Sequence, residues 1–444
     1  MKFRLLLPVL FPLSSFAGVE LSGRLAVPDT NPPVMLAAVR AFGFPAGSKT
    51  GNAFRSWEME PRGWWKLEGN AGEWSVLFTG PSHFVRPVLL QAKLEDGTKD
   101  NHLKASPHFD YACFAEKAWD TKPARAYWQP FVAKSTSVTH VGFKLATDGV
   151  DGAGPGHQTL VASIHRCTGD KPEAWPQAGP SMTVPHVDCG GPKSYHYSCG
   201  WHSGEVKLEP GQRYAVKLTA EKEGGVFQAF WEKCADDAAC IRTAATGETS
   251  PAGNRMWMTI SGDGDGLLLP CNKRVHKEFG DFAGFTTSWS QSWTAQGQSL
   301  AGVMLYTATS GTQPRMEQQR IAVRIHRGGP DGPIVGPEKI AAASANYTGD
   351  ASWGVLGTVY ARDEVKVSPG EHFTAEFTTL ETPDSIGDFV NFKKQVNDRK
   401  PGFNPYYRHP SDPFPAGEAW KRGAEKVERD LDLQVIEYAV FNQK

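Results

Sequence analysis

An ordered internal repeat is the feature that most constrains the fold of this 444-residue chain. Val161–Arg166 matches Ala322–Arg327, and further along Gly204–Tyr214 matches Asp363–Phe373. Two more matches fall in the same order, Ser137–Val141 with Ser299–Val303 and Pro251–Trp257 with Pro415–Trp420. Four matches in one order predict an internal duplication with copies at 108–272 and 273–444. Two copies favour tandem domains over a solenoid.

Each copy consists of short segments with the pattern of β-strands. Val138–Leu145 and Thr159–His165 alternate or run apolar and are rich in β-branched residues, and the turn-forming cluster Asp148–Gly156 separates them. Pro210-Gly211 in the first copy recurs as Pro369-Gly370 in the second. This pair is typical of a tight turn into a strand, because proline presets φ and glycine accepts a positive φ. The pattern predicts a β-sandwich or jelly roll in each copy.

A third strand-rich segment, 18–107, precedes the repeat. Its strand at Gly23, its strand ending near Arg40 and its Gly72-Glu73-Trp74 strand resemble the small carboxypeptidase-regulatory-like (transthyretin-like) sandwich, although the insert Gly43–Gly63 replaces the usual short loop. The resemblance implies a structural spacer. The two copies resemble carbohydrate-binding-module-like jelly rolls through their Pro-Gly entry into a Tyr or Phe strand. The expected fold is all-β, with three consecutive β-sandwich domains, the last two a tandem jelly-roll duplication.

The N-terminal residues 1–17 have the features of a secretory signal peptide. A charged start is followed by the short apolar run Leu5–Leu13 and by small residues at Ser15 and Ala17. The sequence after the N-terminus has no run of about 18 apolar residues, so we expect no transmembrane segment there. We therefore expect the mature chain to begin near Gly18 and to be secreted, either into a periplasm or outside the cell.

Seven cysteines are compatible with disulfides in such an oxidising compartment. Spacing alone does not determine their connectivity, and the odd number leaves at least one cysteine over. Short separations and positions at the ends of the first copy favour these pairs: Cys189–Cys199, Cys234–Cys240 and, less directly, Cys113–Cys271, with Cys167 left over.

The densest group of polar and aromatic residues lies in His186–Glu205. A sugar has apolar C–H faces beside hydroxyl edges, so aromatic rings next to polar groups suit it. Trp175 lies in a second, proline-flanked loop. The alternative role for these aromatic residues is filling the edge of the sandwich core. The expected ligand-binding residues are Trp201, Trp175, Tyr197, His202 and Asp188.

The second copy lacks most of this set. Tyr360, Ala361 and Asn346 stand there for Trp201, His202 and Asp188. A ligand site is therefore expected in the first copy. His165 and His326, by contrast, occur in both copies, each followed by arginine, which favours a structural role.

Two acidic glycine loops are candidate sites for a structural Ca²⁺, a cation that takes several oxygen ligands. One contains Asp148 and Asp151, and the other is Asp263–Asp265. Neither has the spacing of an EF-hand, and ordinary turn chemistry explains both loops as well.

The net charge and the absence of signature motifs argue against several classes of function. A formal net charge of -1 argues against binding to nucleic-acid phosphates or to a membrane through a polybasic segment. Signature motifs of serine hydrolases, zinc proteases and P-loop proteins are absent from the sequence. The leading hypothesis is a secreted, non-catalytic protein that binds a polysaccharide or cell-surface glycan. The alternatives are a polysaccharide lyase or glycoside hydrolase using His196, Tyr197 or Glu205 as acid–base groups, and a structural interaction protein of the envelope.

Overall fold

The structure, a computed structural model, is nearly all β-strand, which confirms the predicted fold class of antiparallel β-sandwich domains. None of the helices in the described part of the chain is long and apolar enough to cross a membrane. The structure describes residues 19–25, 40–55, 64–79, 87–95, 101–105, 109–113, 118–119, 124–146, 160–184, 194–221, 223–233, 240–244, 246–251, 254–263, 266–271, 286–309, 320–348, 351–380, 404–405, 417–423, 425–428 and 430–439. The predicted signal peptide lies outside these residues.

The strands form three groups along the chain. The N-terminal unit contains β1 (Val19–Leu25), β2 (Arg40–Pro45), β3 (Asn52–Arg55), β4 (Trp64–Gly69), β5 (Gly72–Thr79), β6 (Val88–Leu94) and β7 (Asn101–Ala105). The first sandwich contains β8 (Phe109–Cys113), β9 (Ala118–Trp119), β10 (Ala124–Val132), β11 (Ser137–Ala146), β12 (Leu160–Arg166), β13 (Met182–Val184), β14 (Ser194–Gly200), β15 (Val206–Lys207), β16 (Arg213–Ala220), β17 (Gln228–Lys233), β18 (Ile241–Ala244), β19 (Thr249–Pro251), β20 (Asn254–Met256) and β21 (Met258–Gly262). The second sandwich contains β22 (Leu267–Cys271), β23 (Ser288–Thr294), β24 (Ser299–Thr309), β25 (Ile321–Arg327), β26 (Lys339–Ile340), β27 (Ala342–Thr348), β28 (Ala351–Val359), β29 (His372–Thr379), β30 (Asn404–Pro405), β31 (Ala419–Lys421), β32 (Glu425–Val427) and β33 (Leu433–Tyr438).

The two sandwiches share their strand order. One sheet runs β13-β12-β16-β10-β18-β19 in the first sandwich and β26-β25-β29-β23-β31-β32 in the second. We call this sheet the Trp128 sheet in the first sandwich, after a residue on β10. The opposite sheet contains β8-β21-β11-β14 in the first sandwich and β22-β33-β24-β28 in the second. We call it the β11 sheet in the first sandwich and the β24 sheet in the second. The shared order agrees with the duplication that the repeat predicts.

A buried glutamine occupies the same position in both sandwiches. Gln129 accepts the Met256 backbone N–H through Oε1 at 2.8 Å, and Gln291 accepts the Leu431 N–H at the same distance. The turns at Gly211 and Gly370 also agree, with φ values of 84° and 86° and a 2.8 Å hydrogen bond from each glycine N–H. The Pro-Gly pairs therefore form equivalent turns, as the sequence predicts.

Two details of the repeat differ from the prediction. Trp257 directly precedes β21, whereas Trp420 lies within β31, the counterpart of β18, so these tryptophans are not equivalent. The similar Pro-Ala-Gly segments before them produced a false match. In addition, β22 pairs with the final strand β33, although it lies before the predicted boundary at 272. Residues 267–271 thus belong to the sheet of the second sandwich.

The N-terminal unit packs against the outer face of the β24 sheet of the second sandwich. Its sheet β3-β2-β5-β6 contributes Phe42, Phe44 and Leu77. One cluster joins these side chains to apolar residues of the second sandwich, among them Ala301, Met304, Val355, Val359 and Ile436. The N-terminal unit therefore covers a face of the last domain in the chain.

A buried lysine lies at this junction. Lys339 is 2 % exposed, and its Nζ donates to the Val359 carbonyl at 2.8 Å and to Glu364 Oε2 at 2.9 Å. The Phe44 ring of the N-terminal unit lies 5.3 Å from this ammonium. Next along the chain, the Ile340 N–H donates to the Lys49 carbonyl at 2.6 Å, so a backbone bond also crosses the junction.

We predict that Gly357→Ala loosens this junction. A Cβ at Gly357 would lie 2.8–3.0 Å from three carbons of the Phe42 ring, so one side must shift. Overpacking of this kind costs about 1–3 kcal/mol. Hydrogen exchange of the Ile340 amide should accelerate, while that of Ala341, which bonds to Ile321 inside the second sandwich, should not.

The matched control is Gly329→Ala, because an added Cβ there meets nothing within 4 Å. Adding Phe42→Leu to Gly357→Ala should restore slow exchange by making room. Unchanged exchange at Ile340 in the Gly357 variant would contradict this packing.

Candidate functional site

An aromatic cluster lies on the outer face of the Trp128 sheet. The Trp128 ring is 1 % exposed and is met edge-on by Trp175 at 5.7 Å and by His165 at 5.0 Å. The Lys217 ammonium lies 4.5 Å from the Trp128 ring centre. Such contacts of a cation with an indole face are typically worth about 0.5–2 kcal/mol. The cluster packs outside the sheet, separate from the core between the two sheets.

The loop after β12 folds back over this cluster. Pro172–Ala174 forms a 3₁₀ turn, and the Arg166 and Ala178 N–H groups bond to Pro176 and Ile164 carbonyls at 2.9 and 2.7 Å. The Trp175 indole N–H donates to the Gly169 carbonyl at 3.1 Å. These bonds hold Trp175, which is 7 % exposed, as a lid over Trp128.

His165 fixes the loop to the sheet. Its Nδ1 lies 2.9 Å from the Trp175 carbonyl, which can only accept, so Nδ1 carries the proton. Its Nε2 lies 2.9 Å from the Ser163 hydroxyl. Burial lowers the pKa of His165, and the Lys217 charge lowers it further. A neutral ring with both nitrogens bonded is a structural clasp, as its presence in both copies predicts.

A polar patch lies beside the lid. It consists of Glu173, Lys217, Thr243 and Thr249, and we call it the Glu173 patch. Glu173 is exposed, and its Oε1 accepts hydrogen bonds from the hydroxyls of Thr249 and, at 3.4 Å, Thr243. The bond from Thr249 is the main cause that lowers the pKa of Glu173. Burial lowers the pKa of Lys217, an effect that the nearby Glu173 charge opposes.

The equivalent face of the second sandwich is a closed ionic network. Ser290, Gly332, Glu376 and Arg324 stand where the first sandwich has Trp128, Trp175, Lys217 and Ser163. The equivalent histidine, His326, lies 2.9 Å from the Gly332 carbonyl and 3.1 Å from Glu376. Arg324 bonds to Glu338 at 2.8 Å and to Glu376 at 3.4 Å. Both faces thus carry internally bonded polar groups, but Glu376 and Glu338 are partly buried, whereas Glu173 is exposed.

Trp201, predicted to stack on a ligand, is instead a core residue. Its ring is 0 % exposed, belongs to the cluster between the sheets and donates its indole N–H to the Pro180 carbonyl at 3.0 Å. His202 is also buried, and its backbone N–H bonds to Glu205 Oε2 at 3.0 Å. Glu364 makes the same bond to the Ala361 N–H in the second sandwich, at 2.7 Å, so this glutamate caps a turn in both copies.

The other predicted site residues do not join Trp201. Tyr197 pairs with Phe143 in the β14–β11 ladder, and nothing further is described of its side chain. Asp188, Asp148 and Asp151 lie outside the described residues. Of the five predicted ligand residues, Trp175 lies next to the polar patch, as a lid over Trp128.

The second predicted calcium loop uses its first carboxylate for the fold. Asp263 accepts the N–H groups of Thr136 and Ser137 at 2.9 and 3.1 Å and the Thr136 hydroxyl at 2.8 Å. These bonds cap a turn. Within the described residues, no group of three or more His, Cys, Asp or Glu side chains is arranged to hold a metal ion.

Cys113, Cys167, Cys199 and Cys240 are thiols in the structure. Cys113, Cys199 and Cys240 are buried in the core of the first sandwich, and Cys167 packs beside Trp128. The predicted Cys189–Cys199, Cys234–Cys240 and Cys113–Cys271 bridges are therefore not present in the structure. Burial raises the pKa of Cys167 to about 11. Short sequence separation did not indicate pairing, because these side chains face an apolar core in which a thiol packs as a small hydrophobe.

The residues of the Glu173 patch were missed because the sequence prediction concentrated on aromatic residues. Two signals for them were present. Glu173 belongs to the same Pro-Glu-Ala-Trp-Pro segment as Trp175. Lys217 stands between the apolar residues Val216 and Leu218 of the strand Arg213–Ala220, at a position that alternation assigns to the outer face of the sheet.

Comparisons with known proteins return no matching family model and no matching curated protein. The resemblances to carboxypeptidase-regulatory-like and carbohydrate-binding domains therefore stay predictions, and the function is argued from the site alone.

We predict that Trp201→Ala and Trp175→Ala have unequal effects on stability. Removing the Trp201 ring leaves a closed cavity in the core, which typically costs about 3–5 kcal/mol. Trp175 lies on an outer face, where water can refill the space, so its loss should cost less. Scanning calorimetry of both variants measures the difference. A larger loss for Trp175→Ala would mean that the lid, and not Trp201, supports the sandwich.

Proposed function

We propose that this protein is an exported, non-catalytic binding protein that holds a hydroxyl-rich polymer, such as a polysaccharide or cell-surface glycan, at the Glu173 patch. The observation that carries the proposal is the difference between the two copies. Both have the clasp histidine and the same strand order; among the described residues, only the first has an exposed carboxylate, an ammonium and two hydroxyls next to an edge-on pair of tryptophans.

The patch has the chemistry that a carbohydrate requires. Sugar hydroxyls both donate and accept hydrogen bonds, so they can donate to Glu173 and accept from Lys217. Bonds to charged groups are the stronger ones, at about 1.5–3 kcal/mol each. Thr243 and Thr249 both donate hydrogen bonds to one oxygen of the Glu173 carboxylate, which restricts its orientation before a ligand arrives. The Trp175 lid forms the apolar border of the patch.

Two groups that could act in catalysis have other roles in the described structure. His165 has both ring nitrogens bonded within the protein, to Trp175 and Ser163. Glu205, one of the acid–base candidates from the sequence, caps the turn at His202. Both arrangements support a binding role over proton transfer.

The test is native gel electrophoresis of the mature protein in gels that contain soluble polysaccharides or cell-wall extracts. A bound polymer retards the protein. We predict that Glu173→Gln weakens binding at least about tenfold, because it removes a charged hydrogen bond worth about 1.5–3 kcal/mol. Its thermal midpoint should stay near that of the wild type, since Glu173 is exposed.

The matched control is Glu338→Gln, which removes a carboxylate from the equivalent face of the second sandwich. It should bind like the wild type. If no polymer retards the wild-type protein, or if Glu173→Gln binds as tightly as Glu338→Gln, the proposed site is wrong.

A further inference from the structure

The charges around the Glu173 patch compensate one another. Glu173 and Lys217 interact electrostatically, and each shifts the pKa of the other toward its charged form. A polyanion bound at the patch would therefore meet the Glu173 charge together with the Lys217 charge.

The ammonium of Lys217 is already partly engaged in a contact within the protein. It lies over the Trp128 ring at 4.5 Å, and the lysine is half-buried, so only part of its surface faces a ligand. Glu173, by contrast, is exposed and accepts its Thr243 and Thr249 bonds through the same oxygen, Oε1. Its second oxygen is thus the acceptor best placed for a donor from a ligand. A carboxylate of a ligand placed at this oxygen would be repelled by the Glu173 charge.

A donor beside an acceptor on one face fits two adjacent hydroxyl groups. One hydroxyl of such a pair donates to the carboxylate while the other accepts from the ammonium, so neither protein charge has to be neutralised by the ligand. Building on the proposed function, we infer that the ligand of the Glu173 patch is an uncharged sugar polymer with adjacent free hydroxyls, and not a polyuronate or another polyanion.

A matched pair of polymers tests the ligand class. A polyuronate and its carboxyl-reduced form have the same backbone and differ in charge. The wild-type protein should bind the neutral form more tightly, with an affinity that changes less than about twofold between about 50 and 500 mM NaCl, because no net charge is screened. Tighter, salt-sensitive binding of the polyuronate would overturn the inferred class and leave the proposed function standing. If the protein binds neither form nor any neutral polysaccharide, both proposals fail.

Two variants should change binding of the polyuronate in opposite directions. Glu173→Gln leaves Lys217 without its neighbouring charge, so the preference should move toward the polyuronate at low salt while binding of the neutral polymer weakens. Lys217→Met leaves Glu173 alone and should abolish any residual binding of the polyuronate. Glu338→Gln, on the equivalent face of the second sandwich, should change neither preference. Parallel effects of Glu173→Gln on both polymers would contradict the inferred charge compensation, even if Lys217→Met behaves as expected.

Discussion

The apolar contact between the N-terminal unit and the second sandwich is the constraint on which the arrangement of the three units depends. Phe42 packs against the backbone of Gly357, where an added Cβ would lie only 2.8–3.0 Å from the Phe42 ring. Next to it, Lys339 is buried with its charge, which is costly unless other groups compensate for the lost water. Glu364 and the Val359 carbonyl supply that compensation. The first sandwich has Met182 at the same register position as Lys339, so the ionic pair is particular to the face that carries the N-terminal unit.

The same sheet face has a different chemistry in the two sandwiches. The register aligns Val141–Ile260 of the first with Val303–Val435 of the second. On that basis the first sandwich has these residues on the face: Thr139, His140, Thr259 and Ser261. The second has these: Ala301, Gly302, Gln434 and Ile436. An apolar surface joins another apolar surface because water is released from both. The corresponding face of the first sandwich is polar at these positions, and its side chains are buried, so the two sandwiches offer surfaces of different chemistry to a neighbouring element.

The repeat and the fold class could be predicted because they follow from local patterns. The Pro-Gly turns before Tyr214 and Phe373 require specific backbone angles, and the strand period shows directly in the sequence. The Glu173 patch could not be predicted in the same way. The β-strand pattern around Trp128 predicts a core residue, but it does not show that the loop after β12 covers this ring on the outer face of the sheet. The match between Trp257 and Trp420 was wrong for a related reason. The similar Pro-Ala-Gly segments before them do not determine which strand of the sandwich each tryptophan belongs to.

The error on Trp201 shows why aromatic density is a weak guide to binding sites. A tryptophan has the largest side chain, so a sandwich gains most by burying it, and its N–H then needs a partner within the protein. Trp201 satisfies both conditions through Pro180. Trp175 satisfies its N–H through Gly169 but covers another tryptophan at the surface, where charged groups border it. What distinguishes the two residues is their surroundings: Trp201 lies in the core between the sheets, whereas Trp175 packs on Trp128, whose ring also carries the Lys217 ammonium. In this fold, the residues that define a candidate surface are therefore the polar ones that the sheet holds at its outer face, and the aromatic residues support them.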